Sequence, residues 1–280
     1  MADAPTSPTR RHSPAAAWVR RLVAIGYLFM LVVWPTAYLV RNTFAEGFAA
    51  LAASLSDPDV VHALILTVQT AALAVTINLV FGLGVSLLLV RYDFPGKRML
   101  SWLIDLPLSA SPVVVGLALL LVYSPVYGWF GPALRDAGVE VAFALPGIVM
   151  ATCFVALPLI VREVVPVLTE LGDDQEQAAR SLGAGAWQTF CRITLPGIRW
   201  ALAYGVVLSL ARSLGEFGAV KVISGHVIGQ TATATISVES AYQNNHTDQA
   251  YAIAFLLVFA AVLCLVVVAL LHTQDAREKG

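Results

Sequence analysis

Residues 173–196 read DDQEQAARSLGAGAWQTFCRITLP, a polar stretch that is rich in alanine and contains two glycines. It interrupts a chain of 280 residues in which 58% of the residues are hydrophobic and only 12% are charged. Apolar runs lie on both sides of it. A polar stretch between runs that are long enough to cross a bilayer has to lie outside the hydrocarbon core. The stretch therefore predicts a structured surface segment between two membrane spans.

The composition places the whole chain in a membrane. A mean hydropathy of +0.77 excludes an ordinary soluble domain. A formal net charge of −1 gives no basic signature for nucleic acid, so no nucleic-acid partner is expected. The alternation typical of outer-membrane strands is missing, and helices are then the way to satisfy the backbone in lipid. The fold class predicted is an all-α integral membrane protein in contact with membrane lipid.

Six apolar runs have the length of a transmembrane helix. Residues 1–21 precede them as a polar, proline-bearing segment, which is typical of a disordered tail. The transmembrane domain is predicted over 22–272, and 273–280 form a second tail. The predicted spans are 22–40, 64–90, 101–123, 141–161, 200–222 and 250–271.

The orientation follows from the distribution of lysine and arginine, which favours the cytosolic side. With the N-terminus inside, the outer loops hold only Arg41 and Arg135. Both termini and the loop 162–199, between spans four and five, are therefore predicted to be cytosolic. The inner segments hold Arg10, Arg11, Arg20, Arg21, Arg91, Lys97, Arg98, Arg162, Arg180, Arg192, Arg199, Arg277 and Lys279.

The cytosolic loop is predicted to contain a short helix, a turn and a second helix. Asp173 and Glu176 have the spacing of a capping box at the start of the first helix. Ala178, Ala179 and Leu182 fall on one face of it. Gly183 stands where a left-handed helix end favours glycine.

The second helical piece carries Trp187, Phe190 and Ile193 on one side, and Pro196 is expected to close it. One interpretation is a surface helix resting on lipid headgroups. It needs no partner, and aromatic residues at helical spacing more often pack on their own protein than on another one. The small residues Ala178 and Ala179 favour the other interpretation, in which a partner surface approaches closely.

The same stretch resembles the cytosolic signature of bacterial ABC-importer permeases: Glu-Ala-Ala, three residues, Gly, nine residues, then Ile-x-Leu-Pro. Here Gln177-Ala178-Ala179 is followed by Gly183 and by Ile193-Thr194-Leu195-Pro196, and every spacing fits. Gln177 stands where the family has Glu, and Glu176 is one residue early. The resemblance implies a coupling helix that docks on a separate ATPase. The residues that it assigns to this coupling are Glu176, Gln177, Ala178, Ala179, Leu182 and Gly183.

The rest of the chain extends the resemblance. The segments 104–121, 157–184 and 211–226 resemble sulfate and thiosulfate permease subunits, and ISGHVIGQTATATISVESAYQ (223–243) resembles the W-type subunit of those importers. The resemblance implies a type I permease of the bacterial inner membrane. The implied partners are a homologous T-type permease, an ATP-binding subunit dimer that binds ATP and Mg²⁺, and an extracytoplasmic sulfate-binding protein. Molybdate and tungstate permeases share much of the pattern, and a stand-alone secondary anion transporter is a further alternative.

Two spans carry candidates for the path of an anion. Span five has a stripe of small or polar residues, and charged residues inside a span usually face a bundle interior or a water-filled path. Arg212 and Glu216, one turn apart, form either a local ion pair or part of the path. The stripe consists of Gly205, Ser209, Arg212, Ser213 and Glu216.

In span three, Pro107 and Pro112 are expected to break or bend the helix, and Ser109 and Pro112 are assigned to a gate or path. Asp105 is expected to be solvated near the cytosolic end. The sequence contains no phosphate-binding loop and no motif of a hydrolase or metalloprotease, so we expect no catalytic residue and no metal site in this chain.

Overall fold

The computed structural model describes residues 14–278, with side chains from Trp18 to Leu271 except Val19. These residues form helices joined by short connections, and no strand occurs among them. Two π-helical segments, Phe29–Val33 and Phe190–Thr194, continue directly into the helices that follow them. The helices are α1 (Pro14–Leu28), α2 (Trp34–Thr43), α3 (Phe48–Leu55), α4 (Pro58–Arg91), α5 (Lys97–Ser109), α6 (Pro112–Tyr123), α7 (Gly131–Asp136), α8 (Leu145–Leu171), α9 (Asp174–Ser181), α10 (Ala186–Thr189), α11 (Leu195–Leu214), α12 (Gly218–Ile223), α13 (Ala234–Gln243) and α14 (Thr247–Glu278).

Five helical stretches in the described part of the chain are long and apolar enough to cross a membrane, and a bent pair brings the number to six. The bent pair is α5 and α6, which meet at 112° across a break of two residues before Pro112. This break confirms the prediction for Pro112, whereas Pro107 lies inside α5 and does not end it. The other stretches are Arg20–Thr43, Pro58–Arg91, Leu145–Leu171, Ala186–Leu214 and Thr247–Leu271.

The helix that carries span four runs from Leu145 to Leu171 and so continues past residue 161, the predicted end of the span. The helix continues because its last turns remain in the core. Val164 and Leu168 are fully buried and pack in one cluster with Ile160 and with Ile198 of α11. Arg162 and Glu163 lie on the less buried side of these turns, and burial on the opposite face keeps the helix continuous. The loop predicted over 162–199 is correspondingly shorter.

The boundaries of span five also differ from the prediction of 200–222. Pro196 does not close a separate helix, since helical structure runs from Ala186 to Leu214. The π-helical segment before Pro196 shifts the hydrogen-bonding register, which lets the helix pass a residue without an N–H group. The span then ends at Leu214, and Lys221 lies on the separate helix α12.

The N-terminal prediction is partly outside the described residues, which begin at residue 14. From there the chain is helical, so disorder over 14–21 is wrong. Pro14 occupies the first helical position, where its missing N–H costs nothing, and three alanines follow it. At the other end α14 runs through 273–278, and 279–280 lie outside the described part.

The centre of the bundle is formed by α4, α8 and α11, which cross closely through glycines. A Cβ atom on Gly205 would lie 2.9 Å from the Cα atom of Ile160, and one on Gly82 would lie 3.1 Å from its Cγ2 atom. Gly205 of the predicted stripe therefore serves close packing of α11 on α8. The helix α13, which the sequence did not predict, packs through Ala234 against Val60 of α4 and Ile253 of α14.

Candidate functional site

The helix α9 and its turn form the surface element that the opening stretch predicts. Gly183 follows the helix with a φ of +87°, a left-handed conformation that glycine adopts without strain. Its N–H group donates to the carbonyl oxygen of Arg180 at 2.9 Å, and Ala184 N–H donates to that of Ala179 at 3.0 Å. These two bonds form a Schellman motif, so the prediction that Gly183 ends the helix is confirmed.

The predicted capping box is wrong, because neither Asp173 nor Glu176 caps the start of α9. Asp173 makes no side-chain cap bond, and its Oδ2 atom accepts from Gln177 Nε2 at 2.7 Å instead. Glu176 points away from the helix start and is only 5% exposed. Its carboxylate receives Arg91 Nη2 at 3.0 Å and Thr194 Oγ1 at 2.8 Å. The charge of Glu176 is therefore satisfied inside the chain.

The opposite side of α9 presents apolar residues to the outside. Leu182 is 90% exposed and Trp187, at the start of α10, is 75% exposed. Ala178 is exposed beside them, whereas Ala179 is half-buried. Trp187 contacts Phe190 at 5.7 Å between ring centroids and is otherwise open, so the expectation that it packs on its own protein is wrong. Exposed large apolar side chains on a short helix fit either a partner surface or a position at the lipid headgroups, the two interpretations that the sequence left open.

Arg212 and Glu216 form the local ion pair that the sequence offered as one alternative. Arg212 Nη1 lies 2.7 Å from Glu216 Oε2, and the two side chains are 37% and 2% exposed. Glu216 lies in the break after α11, where its Oε1 atom accepts from Ala219 N–H at 2.9 Å and caps α12. Its carbonyl oxygen accepts from Thr235 Oγ1 at 2.8 Å. Glu216 therefore fixes α12 and α13 to the end of span five.

A second ion pair lies close to this break. Lys221 Nζ donates to Glu239 Oε1 of α13, and it also lies 5.1 Å from the ring centroid of Phe217. Because Arg212 and Lys221 are each 37% exposed and their carboxylate partners are more buried, both pairs present their positive ends outward.

The other candidates for the path divide into buried and exposed residues. Ser209 and Ser213 are buried, and their hydroxyl groups have no hydrogen-bond partner in the described part of the chain. Ser109 is exposed at the end of α5, and Pro112 starts α6 beside Gly218. Their roles in a path stay predictions.

Asp105 is paired rather than simply solvated. Arg162 Nη2 lies 3.0 Å from its Oδ1 atom, and both side chains are about half exposed. An exposed pair of this kind contributes little to stability. It does connect α5 to α8, so the bent span has a polar contact with the centre of the bundle.

Three residues with clear structural roles were not identified from the sequence: Arg91, Thr194 and Glu239. Each is the partner of a charged residue on another element: Arg91 lies 85 positions from Glu176, and Thr194 and Glu239 each lie 18 positions from their partners. Arg91 carried a signal, since it is the charged end of a long apolar run. Nothing in the sequence pattern identified its partner. Among the described residues, no group of three or more histidine, cysteine, aspartate or glutamate side chains could hold a metal ion.

Comparison with protein families gives a match over most of the chain. The model of a family described as "binding-protein-dependent transport system inner membrane component" matches residues 78–279. The chain is 47% identical over 247 residues to "Sulfate permease 2, chloroplastic" of Chlamydomonas reinhardtii, covering 87% of this chain and 67% of that protein.

Two proteins of Escherichia coli K12 are also similar. The sulfate transport system permease protein CysW is 43% identical over 265 residues, covering 92% of this chain and 89% of CysW. The sulfate transport system permease protein CysT is 36% identical over 252 residues, covering 90% of this chain and 91% of CysT.

Among solved structures, a bacterial alginate ABC transporter in complex with an alginate pentasaccharide-bound periplasmic protein shares the fold. It has a TM-score of 0.74 at 19% identity and covers 93% of this chain and 94% of that chain.

Proposed function

The chain belongs to the family of binding-protein-dependent transport system inner membrane components, and we propose that it is the membrane-spanning permease subunit of an ATP-driven importer of sulfate. The observation that carries this proposal is similarity to sulfate permeases over about nine-tenths of the chain. Thiosulfate, a tetrahedral dianion like sulfate, is included in the proposed substrate class. The similarity to sulfate permeases favours this class over molybdate and tungstate.

We infer that energy comes from a separate ATPase dimer that binds ATP and Mg²⁺. The exposed face of α9 and α10, with Ala178, Leu182 and Trp187, offers the surface on which such a subunit would dock. Gln177, Ala179 and Gly183 flank that surface or shape its turn. If so, the end of the bundle that carries α9 faces the cytosol, in agreement with the lysine and arginine distribution. Both termini then lie in the cytosol, and the protein lies in a bacterial inner membrane.

Two further partners complete the proposed importer. The chain is more similar to the W-type permease of E. coli than to the T-type permease, which supports a W-type subunit paired with a T-type one. The alginate transporter of the same fold is solved with a periplasmic protein, which supports an extracytoplasmic sulfate-binding protein on the opposite face.

Reconstitution into liposomes tests the proposal directly. The complete complex is expected to take up labelled sulfate only with internal ATP and external binding protein, and excess molybdate is expected to compete weakly. The permease alone is expected to show neither ATP hydrolysis nor uptake, because its energy source is a partner. Uptake by the lone subunit in response to a proton or sodium gradient would instead support a secondary transporter.

The ion pair in span five gives a second prediction. Arg212→Ala leaves Glu216 as a buried charge without its cation, which is expected to cost about 2 kcal/mol, less than a fully buried pair, because Arg212 is partly exposed. The double variant Arg212→Ala/Glu216→Gln removes that charge and keeps the acceptor for Ala219 N–H. It is therefore expected to unfold at a higher temperature than Arg212→Ala alone.

Thermal unfolding of the detergent-purified permease checks this order. If the losses of stability in Arg212→Ala and Glu216→Gln add up to the loss in the double variant, the ion pair contributes nothing. The same variants address the path. If the positive end of Arg212 guides the anion, the double variant is expected to assemble normally but to take up sulfate more slowly than the unmodified complex.

A further inference from the structure

The buried carboxylate of Glu176 joins α9 to three other elements. Arg91, the last residue of α4, donates from Nε to both carboxylate oxygens at 3.2 Å and from Nη2 to Oε1 at 3.0 Å. Thr194 Oγ1, at the entrance to α11, donates to the same Oε1 atom at 2.8 Å. Arg91 also donates to the carbonyl oxygens of Leu168 at 3.2 Å and Gly172 at 2.7 Å, at the end of α8.

This arrangement is the main attachment of α9 to the spans. Glu176 is the one buried side chain of that helix. A helix of eight residues is not stable alone in water, so its position depends on tertiary contacts. Charge-assisted hydrogen bonds from a planar guanidinium are both strong and directional. A displacement of α9 therefore pulls on the ends of α4 and α8 and on the start of α11 together.

We propose that Arg91, Glu176 and Thr194 form a clamp that transmits movement of α9 to the spans, so that Glu176 is a positioning residue for transport rather than a contact of the ATPase. The inference rests on the proposed function, in which a partner moves α9. The docking face and the clamp lie on opposite sides of the helix: Leu182 is open to the outside, whereas Glu176 is turned inward. Docking and transmission are therefore separable by substitution.

The clamp has a consequence in the permease alone. In Glu176→Ala the amide protons of α9 and its turn are expected to exchange with deuterium at least about tenfold faster, because local opening no longer breaks charge-assisted bonds. Exchange in the buried part of α8 is expected to stay unchanged. Ser181→Ala is the matched control, because its hydroxyl group bonds only to the Gln177 carbonyl oxygen of the same helix. Unchanged exchange of α9 in Glu176→Ala would overturn the clamp without any reference to substrate.

In the complete importer the expected result is uncoupling. Glu176→Ala should retain the ATPase and its hydrolysis, while sulfate taken up per ATP hydrolysed falls about tenfold. Glu176→Gln keeps one neutral acceptor oxygen at the Oε1 position, which receives Arg91 Nη2 and Thr194 Oγ1, and is expected to restore most of that ratio, whereas a charge-based contact with the ATPase would not be restored. Loss of the ATPase from Glu176→Ala would mean that Glu176 belongs to the docking surface, and an unchanged ratio would mean that it transmits nothing. Both results contradict the proposal.

Poor accumulation of Glu176→Ala still leaves a test. Thr194→Val removes one hydrogen bond and keeps the ion pair, so it is expected to fold and to lower the ratio by a few-fold. The opposite outcome is that Glu176→Ala fails to fold while Thr194→Val and Glu176→Gln both take up a normal amount of sulfate per ATP hydrolysed. The clamp would then serve folding alone, and the proposal would be wrong. If the unmodified complex takes up no sulfate while α9 of Glu176→Ala exchanges faster, the proposed function fails and the attachment of α9 stands.

Discussion

Leu182→Asp is expected to remove the ATPase from the purified complex and to abolish uptake, with the permease inserted at its normal level. Leu182 is 90% exposed, so the change breaks no contact within the chain. In the assembled importer the new carboxylate would be buried against the partner without a counter-charge. A central apolar contact of an interface contributes about 2 kcal/mol or more, which corresponds to about a thirtyfold weaker association.

The measurement compares permease in the membrane, ATPase retained with it and sulfate uptake in one preparation. Met99→Asp is the matched control, because Met99 is 70% exposed in the first turn of α5 and receives the same change from an apolar side chain to a carboxylate. It is expected to keep its ATPase. If Leu182→Asp behaves like this control, α9 and α10 are a surface helix at the lipid headgroups and not a docking element.

Neighbouring substitutions are less direct tests of the same surface. Ala179 is half-buried, so Ala179→Asp also disturbs the packing of α9. Gly183 has a φ of +87°, and Gly183→Asp adds backbone strain to any effect on docking. Trp187 is a stronger choice than the sequence suggested, since it is 75% exposed and truncation to alanine removes a large contact area.

The sequence predicted the glycine turn after α9 and the proline break before α6, although the capping box, also a local pattern, was wrong. The end of α9 at Gly183 and the break before Pro112 follow from the backbone preferences of single residues, which act wherever the chain folds. The six apolar runs follow from the thickness of a bilayer. These constraints are local or belong to the solvent, and a pattern in one segment is enough to reveal them.

The sequence could not predict which distant residues share a buried charge. Glu176 had a plausible local role as a cap, but Arg91, 85 positions away, competes for its carboxylate and wins because it provides several charge-assisted bonds in a buried site. The end of α8 was missed for a related reason. Val164 and Leu168 fall in the predicted loop, and only their packing against Ile198 of α11, a contact between distant segments, shows why the helix continues.

The bent span depends on a glycine for its attachment to the bundle, and Gly116→Ala is expected to deplete folded permease from the membrane. A Cβ atom on Gly116 of α6 would lie 2.4 Å from the carbonyl oxygen of Ala219 and 3.0 Å from its Cα atom. Both atoms belong to the backbone of α12, which Glu216 holds by capping the Ala219 N–H group. Neither helix can yield without leaving the core, so the cost is expected to reach or exceed about 3 kcal/mol, the upper end of ordinary overpacking.

A series of glycine-to-alanine variants separates this clash from the general effect of alanine in a helix. A Cβ atom on Gly84 of α4 would meet no atom of another helix within 4 Å in the described part of the chain. Gly84→Ala is therefore expected to leave abundance and unfolding temperature unchanged or slightly raised, because alanine favours a helix by about 1 kcal/mol. A Cβ atom on Gly82 would lie 3.1 Å from Cγ2 and 3.2 Å from Cβ of Ile160, side-chain atoms that need to shift only slightly, so Gly82→Ala should give an intermediate result. The order of unfolding temperatures in detergent, from highest to lowest, is therefore Gly84→Ala, then Gly82→Ala, then Gly116→Ala. Equal unfolding temperatures for Gly84→Ala and Gly116→Ala would show that α6 and α12 do not meet at backbone contact. The bent span would then be attached to the bundle only by the Asp105–Arg162 pair of α5 and by side-chain contacts.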